Sequence, residues 1–310
     1  MKKNILLMAL LIGCAGVHAQ GLVSKKGEPI LPEAGDWALG IDARPFLEYA
    51  GNFFGKANNN NSPGFNFLGN QLIIGKYFVD SSTAYRAGLR IGINNNTTRS
   101  MVNALPVTGG SVNTFPEPLN QVENSWMRSF TNIGVTGGIE KRRGKTRLQG
   151  YYGGELGLFY SSTRDEFRYG NSLNATPGQV VNVSGADNFG GAGNVQDQSG
   201  SIPGVIGMSR ITERKSGATF AFGVRGFIGV EYFVLPKISI GGEFGWGLGL
   251  GMTGKSSTRW ESIGNNGGGG SNVTGNTTFE TPAGRFLFID TDNNNSFFGG
   301  SGSLRLNFHF

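Results

Sequence analysis

An alternation of period two, recurring about eight times along the chain, constrains the fold most. It is cleanest at the end, Ser296 to Phe310 (SFFGGSGSLRLNFHF). Phe298, Gly300, Gly302, Leu304, Leu306, Phe308 and Phe310 fall on one side of an extended strand, and Ser301, Ser303, Arg305, Asn307 and His309 on the other. Successive side chains alternate faces in a strand and not in a helix. One such strand suits any sheet. Repeated use, always with small or charged residues on the second face, suits a sheet closed on itself with an apolar exterior and a polar interior.

The expected strands are Asp36–Leu47, Phe65–Phe78, Ala84–Asn94, Ser125–Glu140, Thr146–Tyr160, Gly217–Phe233, Ile238–Gly251 and Ser296–Phe310. Strand 2 has no clear register, because Ile73 and Ile74 are both apolar and invite a bulge. The connections alternate long and short. Glu48–Gly64, with Asn58-Asn59-Asn60-Asn61-Ser62-Pro63-Gly64, is read as a loop, as are Asn95–Asn124, Ser161–Ser216 and Met252–Asn295. Val79–Thr83, Lys141–Lys145 and Val234–Lys237 are short turns. Long loops on one side and short turns on the other is the pattern of an outer-membrane barrel. The expected fold is therefore all-β, an eight-stranded antiparallel transmembrane β-barrel with long extracellular loops, spanning residues 36–310.

Residues 1–19 read as a secretory signal peptide. Lys2 and Lys3 are its basic end, Ile5 to Ile12 its apolar stretch, and Val17-His18-Ala19 its cleavage site before Gln20. Leu11-Ile12-Gly13-Cys14 also resembles a lipobox, which would leave Cys14 lipidated. Cleavage at Ala19 removes the one cysteine, and with it disulfides and thiolate metal sites. Residues 20–35 are read as a periplasmic N-terminal arm. The formal charge of +6 is modest and dispersed, with no basic run of the nucleic-acid kind. Glycine is abundant, 53 of 310 residues, but has no three-residue period, which excludes collagen.

Candidate chemistry is sparse. The mature chain would keep one histidine, His309, facing inward near the base. No HExxH, no GxSxG and no cysteine nucleophile is present, and no cofactor or metal is expected. Asp290-Thr291-Asp292-Asn293-Asn294-Asn295 resembles the start of a calcium loop but lacks its glycine and its final glutamate, so a loop of Asx turns accounts for it. Gly267–Gly270 lacks the context of a phosphate cradle. Aromatics near strand ends (Trp37, Tyr77, Phe78, Tyr85, Trp126, Tyr160, Tyr232, Phe308 and Phe310) are read as interfacial girdles.

The defensible constellation is a set of inward charges: Asp42, Arg86, Glu140, Glu155, Arg225, Glu231, Glu243 and Arg305, with Arg44, Arg90, Arg128 and Arg147 as further members. Eight strands enclose just enough room for side chains to fill. A charge-paired plug is expected, with a gated anion-favouring pore as the alternative. Counting heights along the strands predicts that Arg305 bridges Glu243 and Asp42, that Glu155 meets Arg225, and that Arg86 lies level with Glu140.

With the Val17-His18-Ala19-Gln20 site, the alternating strands and the terminal Leu304–Phe310 (LRLNFHF), the chain resembles the small eight-stranded outer-membrane barrels of the OmpA type. It is similar in particular to barrel proteins of Bacteroidota-type, Gram-negative bacteria. The resemblance implies a cell outer membrane location with both termini periplasmic, contact with lipid and lipopolysaccharide, and insertion by the barrel-assembly machinery, for which Phe308 and Phe310 are the assembly signal. The function expected is non-enzymatic: a structural or surface-interaction role through the loops, or an accessory subunit of an outer-membrane complex. A small channel for passive transport and a lipid-modifying barrel enzyme are the rival expectations, and no nucleic-acid partner is expected.

Overall fold

The computed structural model describes residues 22–55, 73–104, 120–173, 189, 196–197, 205–265, 272–290 and 303–310. The expected signal peptide, residues 56–72 with the first part of the second expected strand, Gly267–Gly270, Thr291–Asn295 and the start of the last expected strand lie outside them. Among the described residues the chain is all-β with one helix. Its elements are β1 Trp37–Asp42, α1 Arg44–Gly55, β2 Ile73–Asp80, β3 Thr83–Asn103, β4 Gln121–Arg143, β5 Leu148–Arg168, β6 Gln196–Asp197, β7 Val205–Lys215, β8 Thr219–Leu235, β9 Ile238–Thr253, β10 Ser256–Asn265, β11 Asn272–Thr281, β12 Gly284–Asp290 and β13 Ser303–His309.

These strands form one antiparallel sheet in a ring-like arrangement. Pairing passes from β1 through β2, β3, β4 and β5 to β8, then to β9 and β13. It returns to β1, where Ala38 faces His309 and Asp42 faces Arg305. Backbone bonds in both directions between Trp37 and Phe310 (2.8 and 2.9 Å) finish the seam. β12 pairs with the part of β9 beyond its contact with β13.

The alternation read in the sequence decides which face each residue takes. On β3, Tyr85, Leu89, Ile91 and Ile93 are exposed while Ala84, Arg86 and Arg90 are buried. On β9, Phe244, Trp246, Leu248 and Leu250 are exposed while Ser239 and Glu243 are buried. The usual order of a globular fold is thus inverted: large apolar side chains cover the outside, and charged ones fill the inside. Leu158 is 63% exposed, and Glu140 and Glu231 are 0% exposed.

Several expectations are corrected. The first strand ends at Asp42, and the stretch read as its upper part and the start of the following loop is α1, which Arg44 opens. Phe46, Tyr49 and Phe53, with Leu47 and Phe54 beside them, follow a 3.6-residue period that makes this segment a helix. Strand 2 needs no bulge at its apolar doublet, since Ile73 faces out at 45% exposure and Ile74 in at 2%. The register shift comes later, between Phe78 and Asp80.

Among the described residues, three of the long connections carry strand. β3, β4 and β5 run 21, 23 and 21 residues, well past the apolar exterior, and β7, β10 and β11 pair onto them in the order β5–β7–β10–β11. Their own core is aromatic: Phe167, Phe189 and Ile211 are buried, with Trp126, Tyr169 and Trp260 packed against them. Trp126 therefore belongs to this core and not to a girdle, and Phe78 is buried inside the ring. Residues 22–35 fold back as a turn, with a Val23–Pro29 bridge, and Ile30, 1% exposed, accepts a backbone bond from Lys237.

Candidate functional site

The charged interior is built by same-face positions on seven strands, in two storeys. The lower storey lies near the Trp37–Phe310 end. Lys76 comes from β2, Glu140 and Arg142 from β4, Glu231 from β8, Ser239 from β9, and Asn307 and His309 from β13. Lys76 Nζ is 2.9 Å from Glu140 Oε2. Arg142 donates through Nη2 to Glu231 Oε2 at 2.6 Å, through Nη1 to Glu140 Oε1 at 3.1 Å, and through Nε to Gln149 Oε1 at 2.9 Å. Each nitrogen of that guanidinium thus has its own acceptor, which is how a buried arginine offsets its lost hydration.

The upper storey centres on Glu243. Arg86 grips it with both terminal nitrogens, at 2.6 and 2.8 Å. Arg225 donates to Glu243 Oε1 at 3.0 Å and to Glu155 Oε1 at 2.9 Å. Arg305 stands 3.5 Å from Glu243 Oε1. Arg86 Nη1 lies 3.7 Å from Glu140 Oε2, which links the storeys. Aromatics fill between the charges, with Phe227 4.2 Å from the Arg86 guanidinium and Tyr151 4.7 Å from Lys76 Nζ. Gly245 leaves room for Arg225: a Cβ there would lie 2.5 Å from the guanidinium.

Of the residues singled out from sequence, Arg86, Glu140, Glu155, Arg225, Glu231, Glu243 and Arg305 are brought together here, all under 9% exposed. Asp42 is only half-buried at the tip of β1, opposite Arg305 in register. Arg90 is buried higher up, 5.5 Å from the Phe159 ring. Arg128 is corrected: it is exposed, pairing with Asp165 at 3.0 Å in the outer extension. Arg147 lies at the ring's end and donates to the carbonyl oxygens of Phe233 and Val234. Lys76 and Arg142 were missed. Lys76 sat in the strand of unclear register, and Arg142 inside a stretch read as turn; strict alternation from Glu140 would have found it.

The lower storey contains a serine, a histidine and a carboxylate in contact, so nucleophilic chemistry must be weighed. Glu231 Oε1 accepts from Ser239 Oγ, lies 3.0 Å from Asn307 Nδ2 and lies 3.1 Å from His309 Nε2. Ser239 Oγ is 3.4 Å from that same Nε2. A triad needs the imidazole between acid and serine, one ring nitrogen to each. Here both partners sit on one nitrogen, the serine gives its proton to the carboxylate, and every member is under 6% exposed. The arrangement holds its members in place; it does not activate a nucleophile. Among the described residues no group of three His, Cys, Asp or Glu side chains could hold a metal ion.

Comparison with protein-family models, with curated proteins and with solved structures finds no match to this chain.

Proposed function

We propose that this protein is a non-enzymatic outer-membrane anchor: an eight-stranded transmembrane β-barrel, plugged by charge, that carries a β-sheet extension beyond the membrane for surface interaction. The observation that carries the reading is the inversion of polarity. An apolar exterior around the whole circuit is costly in water but favourable in lipid. Paired charges inside are what a barrel of eight strands has room for. The closed circuit β1–β2–β3–β4–β5–β8–β9–β13 leaves no unpaired edge along the Trp37–Phe310 end, as a lipid environment demands.

The extension built from the upper parts of β3, β4 and β5 with β7, β10 and β11 has the opposite character. Several of its ion pairs reach the surface, as at Lys255–Glu280 (3.2 Å), while Arg210–Glu261 (2.8 Å) is largely buried, and its aromatics are inside. That supports a watery setting and a contact role. Both termini of the barrel then lie on the opposite side, which is periplasmic in an outer membrane. The lipid of that membrane and the barrel-assembly machinery are the proposed partners.

The test is electrophoresis of unheated and boiled protein in mild SDS, with circular dichroism in detergent. A closed barrel migrates differently before boiling and gives a strand spectrum. Identical migration, or protein soluble at high concentration without detergent, would refute the reading.

A further inference from the structure

The sequence Lys141-Arg142-Arg143-Gly144-Lys145 ends β4 and turns toward β5. Alternation sends Arg142 inward to the ion pairs and leaves Lys141 and Arg143 on the outer face. Gly144, at φ 125°, makes the turn that a side chain would strain. Lys145 follows, exposed. Beside this turn runs the β2–β3 turn, tied to it by the bond from Arg142 N to Ser82 O (2.7 Å). Leu22, Leu31 and Pro32 of the folded-back N-terminal segment lie across both. Together they bound a cleft of about 790 Å3.

The charge of this cleft is one-sided. Lys141 Nζ donates to Thr83 Oγ1 at 2.8 Å, a neutral partner. Arg143 and Lys145 line the cleft and form no ion pair among the described residues. Asp80, next in sequence to the lining Ser81, is already engaged by Ser82 through both its backbone N–H and its hydroxyl. Inside, Glu140 and Glu231 are met by Lys76 and Arg142. Besides the inward Arg142, three cations thus line the cleft, and no carboxylate is among its lining residues.

The cleft is also part apolar. Tyr152 lines it, stands opposite Lys141 in register, and is 46% exposed on the outer face that carries Leu148 and Leu156. It therefore opens at the lower rim of the apolar exterior. An anion that brings its own apolar tail fits both halves. We propose that this cleft binds the phosphate of an anionic phospholipid headgroup in the leaflet nearest the termini, with Lys141, Arg143 and Lys145 around the phosphate and Tyr152, Leu31 and Pro32 beside the glycerol and first methylenes. The proposal rests on the membrane-barrel reading above.

The experiment uses the full chain refolded into vesicles of phosphatidylcholine and phosphatidylglycerol in equal parts, extracted gently and weighed intact by mass spectrometry. Wild-type protein should retain phosphatidylglycerol over phosphatidylcholine. Each basic side chain near an anionic lipid contributes about fivefold to binding, so the Arg143→Gln/Lys145→Gln variant should lose retention roughly 25-fold. Both residues are exposed, and the variant should keep the wild-type heat shift on gels. Equal retention of the two lipids, or retention unchanged in the variant, overturns the site. Displacement of the lipid by millimolar inorganic phosphate shows that free phosphate is the true ligand, and overturns the lipid assignment. Protein that fails to float with vesicles fails the membrane reading itself; protein that floats yet shows no lipid preference fails this site alone.

Discussion

Glu243 accepts from Arg86 through both oxygens and from Arg225, and stands 3.5 Å from Arg305. Removing it leaves three buried guanidinium groups short of a counter-charge. Breaking a buried pair costs about 3–5 kcal/mol, because the partner stays behind uncompensated. Glu243→Ala should therefore lower the unfolding free energy read from urea titration by about that much. Arg305→Ala should lower it clearly less, because Arg86 and Arg225 still satisfy Glu243. Equal midpoints for the two variants would place the weight of the network elsewhere. A second residue-scale prediction concerns pH outside the ring. Burial opposes ionisation of Glu213, but hydrogen bonds from Lys215 and Arg164 and their charges outweigh it and hold its carboxyl below the ordinary value of 4.5. A lowered folded value means that its contribution is complete above pH 4.5 and is lost as pH falls through the lower folded value. Proteolysis of the β7 region should accelerate in that acid window, and Glu213→Gln should remove the pH dependence there.

At the scale of elements, β13 joins the two sides of the ring with seven residues, pairing β9 through Phe308↔Ile238 and β1 through Ala38↔His309. Phe308 and Phe310 are its outward aromatics, at 37% and 72% exposure. Changing both to Ser should reduce the folded fraction in the membrane severalfold, read as heat-modifiable protein in an outer-membrane extract, while the inward Asn307 and His309 are untouched. Normal amounts of folded double variant would mean that the terminal strand is not an assembly signal. The same scale shows what could be read in the sequence. β3, β8 and β9 were legible because Leu, Ile, Phe and Val on every second residue leave one register only. The upper parts of β3 and β5 were not: in β3, Asn94-Asn95-Asn96-Thr97-Thr98 has neither an apolar face nor a need for one beyond the apolar zone. β7, β10 and β11 were hidden for a related reason: their burial depends on a few aromatics, Trp260 among them, meeting partners remote in sequence. α1 was misread although its apolar residues carry a helical period, because Trp37 to Asp42 had set up a strand running into it.

For the whole molecule, the interior decides what can pass. Lys76, Arg86, Arg142, Arg225 and Arg305 interlock with Glu140, Glu155, Glu231 and Glu243 across the ring, with Phe227 and Tyr151 between them. Planar-bilayer recordings should show no steady conductance, and Glu243→Ala should produce, at most, brief openings. Stable sugar-sized channels in the wild-type protein would contradict the packed interior. The storeys themselves were legible as a group of inward charges, and the Glu155–Arg225 contact at 2.9 Å joins residues that strand heights had placed level. The partner choices were not legible to the same degree, because an arginine reaches across several strands and its geometry follows from the curvature of the ring.

The reciprocal backbone bonds between Trp37 and Phe310 join positions 273 residues apart, nearly the whole described chain. They set a timetable as well as a shape. A hairpin such as β8–β9 closes on its own short turn, but β1 stays half-satisfied until the distant β13 reaches it. Closure entropy grows slowly with such a separation, so the delay costs little free energy and much time. During that interval β1 presents a bare edge, ready to pair with any extended chain it meets. Late closure therefore leaves that edge open to wrong partners for as long as β13 is unpaired.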